Sequence, residues 1–117
     1  MRDASEITGY HAHLYTDTDV HELAARLRDE IPKHFTVQLG RWHDKPIGPH
    51  AKAMYQVAFA PDELPKLLPW LMLNRGAMSV LIHPETGDEV ADHTAHALWL
   101  GPQLPIDVEF LRKFADS

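Results

Sequence analysis

At 117 residues the chain is long enough for one domain with a real core, and its hydrophobic share of 44% and charged share of 24% exclude a disordered segment. A net charge of −6 with histidines neutral denies it the basic footprint that nucleic acid requires, and no basic amphipathic stretch marks a membrane surface. Cysteine is absent, so any metal must be held by His, Asp or Glu, and nine histidines stand spread along the chain where average usage gives about two or three.

Gly9 to Tyr15 alternates, with Tyr10, Ala12 and Leu14 on one side and His11, His13 and Tyr15 on the other, the period of a strand. Asp17-Thr-Asp19 offers a helix N-cap, and Val20, Leu23, Ala24, Leu27 and Ile31 follow at helical spacing until Pro32. Phe35, Val37 and Leu39 alternate as a second strand, and Lys45-Pro-Ile-Gly-Pro49 breaks the loop that follows. Ala53, Tyr55, Val57 and Phe59 form the apolar side of a third strand. Pro61-Asp-Glu opens a second helix with Leu64, Leu67, Leu68, Leu71 and Met72 on its buried face, a kink or break at Pro69, and Asn74-Arg-Gly76 as its stop. Ala77 to His83 reads as a fourth strand, Pro84-Glu-Thr-Gly87 as a turn, Ala95 to Leu100 as a further short strand, and Ile106 to Phe114 as a closing helix with Phe110, Leu111 and Phe114 apolar.

With no repeat, low-complexity tract or linker, residues 1–117 read as a single domain. The longest apolar stretch, Leu67 to Leu73, is far too short to span a bilayer, and the N-terminus lacks a signal-peptide core, so a soluble, cytoplasmic protein is expected. The order βαββαβ predicts an α+β fold, a ferredoxin-like sandwich with an extra C-terminal strand and short helix. The expected strand order is 4-1-3-2, with strands 1 and 3 parallel and strand 4 running against them.

That topology gathers histidines. It puts the start of strand 1 beside the start of strand 3 and the end of strand 4, where His11, His50 and His83 stand. Parity agrees: if the apolar sets face the helices, His11, His13 and His83 fall on the other face, as does His50 if strand 3 reaches back that far. Neighbouring strands about 4.7–4.9 Å apart let such imidazoles meet one divalent ion. Glu89 or Asp92 can complete a two-histidine, one-carboxylate triad, although Asp88 and Asp92 equally suit turn capping. His93 suits acid–base work, since an imidazole titrates near neutrality. His21 and His34 fall away from the cluster.

Gly9-Tyr-His-Ala-His-Leu-Tyr15, His83-Pro-Glu-Thr-Gly-Asp88 and Asp92-His-Thr-Ala-His-Ala-Leu-Trp-Leu-Gly101 together resemble the DOPA 4,5-dioxygenase family, and the resemblance runs from Gly9 to about Phe114. It implies a small ferredoxin-like homodimer that opens the ring of L-DOPA or a related catechol with O2, in the extradiol manner, to a semialdehyde. The implied cofactor is non-haem Fe(II) or another divalent metal. The matching histidines are His11, His13, His83 and His93, with His50 added by topology; the resemblance leaves open which three hold the metal. The working assignment gives His11, His50 and His83 to the metal and acid–base work to His13 and His93. Tyr15, Lys52 and Trp42 are expected against the aromatic substrate. The competing reading is a non-catalytic metal- or small-ligand-binding module, which would fill every coordination position with protein.

Overall fold

The structure, a computed structural model, describes residues 1–115, with side chains through Lys113. The Phe114 side chain and the last two residues of the expected 1–117 domain lie outside that description. The strands are β1 (Tyr10–Tyr15), β2 (Gln38–His43), β3 (Met54–Phe59), β4 (Val80–Pro84) and β5 (Leu98–Leu100), and the helices α1 (His21–His34), α2 (Leu64–Asn74), α3 (Glu89–His93) and α4 (Val108–Ala115).

The five strands form one sheet in the order β2-β3-β1-β4-β5, with every neighbouring pair antiparallel. The order agrees with the sequence reading and one direction does not. β1 and β3 run antiparallel, Tyr10 opposite Phe59 and Tyr15 opposite Met54. The reason is topological: α1 carries the chain back so that β2 repeats the direction of β1, and the β2–β3 loop then reverses it. The start of β3 therefore lies beside the end of β1, at the far end from His11.

Alternation decides which face is which. Ala12, Leu14, Tyr55, Val57, Val80 and Ile82 face the helices and pack with Ala24, Leu27 and Ile31 of α1 and Leu67 and Leu71 of α2 in one buried cluster. Burying a large aliphatic side chain of this kind contributes about 1.5–3 kcal/mol, so this face is the main source of stability. Both helix-interior prolines are tolerated. α1 runs through Pro32 to His34, and α2 runs through Pro69, flanked by Leu67 and Leu71, which are fully enclosed and hold the helix on the sheet. α2 ends where Gly76, at φ 58°, takes the left-handed conformation; a Cβ there would meet Leu23 at 2.6 Å. The Asp17 side chain makes no cap bond, and a short 3-10 turn at Thr18–Val20 leads into α1 instead.

The second face is not open. Tyr15, Met54 and Leu81 form a second small core there with Ala97, Trp99, Leu104 and Ile106. The β2–β3 loop folds back across it, so that His50 bridges Ile106 and Pro49 accepts a backbone bond from Asp107. α3 was not expected: its five residues begin after Asp88, whose side chain accepts from Ala91 N. Together the loop, α3 and α4 enclose part of the histidine-bearing face.

Candidate metal centre

Five histidines converge beneath that cover. His11 and His13 come from β1 and His83 from β4, with His11 directly opposite His83 in the register. His50 arrives from the β2–β3 loop and His93 from the last turn of α3. His13 is the hub: its ring centre lies 4.2 Å from that of His50, 5.2 Å from His83, 6.1 Å from His11 and 6.2 Å from His93. His83 and His93 are the tightest pair at 4.0 Å. His13, His50, His83 and His93 are buried, and only His11 is partly exposed.

The second nitrogen of most rings is already engaged. His83 Nδ1 lies 3.0 Å from Pro84 O, His93 Nδ1 2.8 Å from Glu89 O, and His50 Nδ1 2.8 Å from the Tyr15 hydroxyl. His11 Nδ1 lies 3.0 Å from Glu85 Oε1, close but not aligned as a hydrogen bond. This is the arrangement that orients metal-binding imidazoles: Nδ1 is fixed by a neighbour and Nε2 is left toward the cluster. His13 differs, because its Nδ1 is buried without a partner. Its Nε2 lies 3.1 Å from His83 Nε2, a separation that suits one N–H···N bond or two nitrogens each ~2.1 Å from a shared ion.

Burial and crowding hold His13, His50 and His83 neutral. Desolvation, then the neighbouring His93, push His83 down to about 3 and His50 down to about 4. His13 moves well below the ordinary range for the same first reason, with four imidazoles around it adding to the shift. Neutral imidazole is the metal-binding form. Glu85 goes the other way: burial first, then the carboxylates of Glu89 and Asp92, push it up to about 7. A carboxyl held this high, with Oε1 buried and without a hydrogen bond, lacks a nearby positive charge.

The donor set therefore fits a divalent metal. Two groups of three offer ligand atoms all within 4.8 Å of one another, His11–His13–His83 and His13–His50–His93. The trio expected from sequence is divided between them, with His11 and His83 in one and His50 in the other. Both groups contain His13.

Around the cluster lies a cavity of about 410 Å³, with Gln56 and Glu89 as polar lining and Pro49, Phe110 and Leu111 as apolar wall. Its size is within the range for a small aromatic ligand. Of the residues expected against substrate, Tyr15 stands behind His50, buried between it and Trp99. Lys52 and Trp42 lie elsewhere. Lys52 pairs with Asp17 at 2.6 Å, and Trp42 is on the helix-facing side, between His21 and Tyr55. Asp92 is wholly buried but turned away from the rings, accepting from Thr86 N and Oγ1 and pairing with His96. Sequence reasoning missed Glu85, although it continues the parity of Ser79, Leu81 and His83 by one more step.

Comparison with known proteins agrees with this picture. The model of the Dopa 4,5-dioxygenase family matches residues 10–110. An uncharacterized 21.2 kDa protein of Botryotinia fuckeliana is 40% identical over 100 residues, covering 79% of this chain and 53% of its own. A DOPA 4,5-dioxygenase of Amanita muscaria is 31% identical over 113 residues, covering 89% of this chain and 50% of its own. The chain thus spans about half the length of these curated relatives. A crystal structure from Nostoc punctiforme, of a protein assigned as a candidate dioxygenase, is 54% identical and superposes with a TM-score of 0.95 over 97% of this chain and 99% of that one. The chain belongs to the Dopa 4,5-dioxygenase family.

Proposed function

We propose that the protein is an extradiol ring-cleaving dioxygenase that uses a histidine-bound non-haem Fe(II) and O2 to open L-DOPA or a related catechol to a semialdehyde. The observation that carries this reading is the convergence of five imidazoles, four with Nδ1 set against a neighbouring oxygen, inside a cavity sized for one aromatic ring. Family membership adds the reaction class. When bound, a ferrous ion with open positions would polarise the catechol oxygens and bring O2 into the same coordination sphere.

His11, His13 and His83 are the favoured ligands. His13 and His83 already stand 3.1 Å apart through Nε2, and Glu85 lies 3.0 Å from His11 and 3.6 Å from His83, where its ionised form balances a cation. His50 and His93 then face the substrate from the opposite side of His13. His93, anchored by Glu89 O, leaves Nε2 free to accept the second phenolic proton and return it as the ring opens. His50 is held in place by the Tyr15 hydroxyl. The apolar side chains of Phe110 and Leu111 keep the ring's far face dry.

The test is aerobic reaction of the Fe(II)-reconstituted protein with L-DOPA and simple catechols, following O2 uptake and the visible absorbance of a semialdehyde together. Both signals are expected in the native protein, and His83→Ala is expected to remove both along with bound iron. Iron binding with neither signal from any catechol refutes ring cleavage and leaves a metal-binding module.

A further inference from the structure

Charge around the cavity has one sign. Among its described lining residues there is no lysine or arginine; the only ionisable group besides histidines is the carboxylate of Glu89, at the start of α3. Glu89 belongs there structurally. Its carbonyl accepts from His93 Nδ1 at 2.8 Å, and its carboxylate stands 3.9 Å from the same nitrogen, one imidazole ring removed from the cluster's ligand nitrogens. Its side chain is 44% exposed, and no lysine or arginine pairs with it among the described residues. The nearest candidate cation in sequence reasoning, Lys52, is bound to Asp17 and lines a different cavity. Gln56, opposite His13 in the register, presents a neutral amide to the same space.

Glu89 is the one carboxylate among the described lining residues, and its side chain reaches solvent, so a catechol whose side chain extends from the imidazoles past Glu89 meets a negative charge there. We propose that Glu89 is a specificity-determining residue, favouring catechols whose side chain carries an ammonium and disfavouring those whose only charge is a carboxylate. The inference deepens the ring-cleavage reading and rests on it for the identity of the ligand as a catechol. A half-exposed ion pair of this kind is worth about a fivefold change in affinity, and like charges cost a similar factor. The net charge of −6 acts in the same direction, weakly and over longer range.

Binding is measured anaerobically by calorimetry on the Zn(II)-loaded protein, with dopamine, 4-ethylcatechol and 3-(3,4-dihydroxyphenyl)propanoate as cationic, neutral and anionic probes of one ring. Dopamine is expected to bind about fivefold more tightly than the neutral catechol and the propanoate about fivefold more weakly, with the spread shrinking in high salt. Glu89→Gln should bring all three within about twofold, and Glu89→Lys should reverse the order. Equal affinities in the native protein, or an order that survives Glu89→Lys, overturn the assignment. The two readings separate cleanly: the expected order without O2 uptake from the iron form sinks ring cleavage alone, O2 uptake with equal affinities sinks the role of Glu89 alone, and no binding of any catechol sinks both.

Discussion

Acidifying the metal-free protein from pH 7 to pH 5 is expected to cost it much of its stability. Over that range an unfolded-state histidine, with pKa about 6.5, takes up a proton. His83, pushed down to about 3, and His50, pushed down to about 4, stay neutral while folded, and His13 shifts in the same direction. Because these folded values are depressed, the unfolded chain binds more protons as pH falls, and stability present above about pH 6.5 is lost on the way down. Each such histidine contributes about 1.8 kcal/mol of loss over the two pH units, set by the unfolded chain alone once the folded value lies below about 4.5. His83 and His50 together give about 3.6 kcal/mol, and His13 adds loss of the same sign. Glu85 opposes them: its carboxyl, pushed up to about 7, lets the folded chain hold the extra proton between the two values. About a quarter of its side chain is exposed, so solvent screening limits that gain to about 1 kcal/mol. The net loss of about 2.6 kcal/mol, which His13 increases, is a large share of the 5–15 kcal/mol that ordinary domains possess. Urea unfolding of chelator-treated protein at constant ionic strength measures it. His83→Gln should flatten the dependence by about 1.8 kcal/mol. Equal urea midpoints at pH 7 and pH 5 would refute the argument that the cluster is buried and neutral.

Tyr15→Phe removes the hydroxyl that holds His50 Nδ1 while keeping the ring stacked on Trp99, so metal affinity, read by competition with a chromogenic chelator, should hardly change; a fall of about 10–100-fold would make His50 a ligand instead. Asp92→Ala strips the partner from Thr86 N, Thr86 Oγ1 and His96 in a buried turn. It should cost roughly 2–4 kcal/mol in urea unfolding, and it should slow ring cleavage while leaving metal binding largely intact, because that turn positions His93; unchanged stability would mean the turn is held by its backbone alone.

What the sequence made legible was parity. Ala12 and Leu14 alternate with His11 and His13, and one face must be buried, so the histidines had to share the other. The same rule placed His83 opposite His11 once the strand order was assumed. Direction was harder, because pattern says nothing about which way a strand runs; only following the chain through α1 and the β2–β3 loop shows that β3 returns against β1. Neither helix-interior proline interrupts its helix, against the stop expected at Pro32 and the break at Pro69 that stood as the alternative to a kink. Local propensity argues for a break, but burial of Leu67 and Leu71 on either side of Pro69 outweighs it.

His50 shows why the site was less legible than the fold. The sequence reading brought it to the cluster as a residue of strand 3, and with β3 antiparallel to β1 that route would have left it at the opposite end of the sheet. It reaches His13 because the loop between β2 and β3 folds back over the face, fixed by the His50–Ile106 bridge and by the Pro49 carbonyl, and neither contact has a periodic signature. His93 likewise depends on α3, five residues capped by Asp88, too short for a hydrophobic period to reveal. Strands could be read from alternation and so supply the floor of the site, His11, His13 and His83. Its walls come from loop and short helix, where long-range contacts rather than local pattern decide the path. The charged residue that lines the cavity, Glu89, belongs to that second class, and Lys52, a substrate partner suggested by the linear sequence, pairs with Asp17 and lines a different cavity.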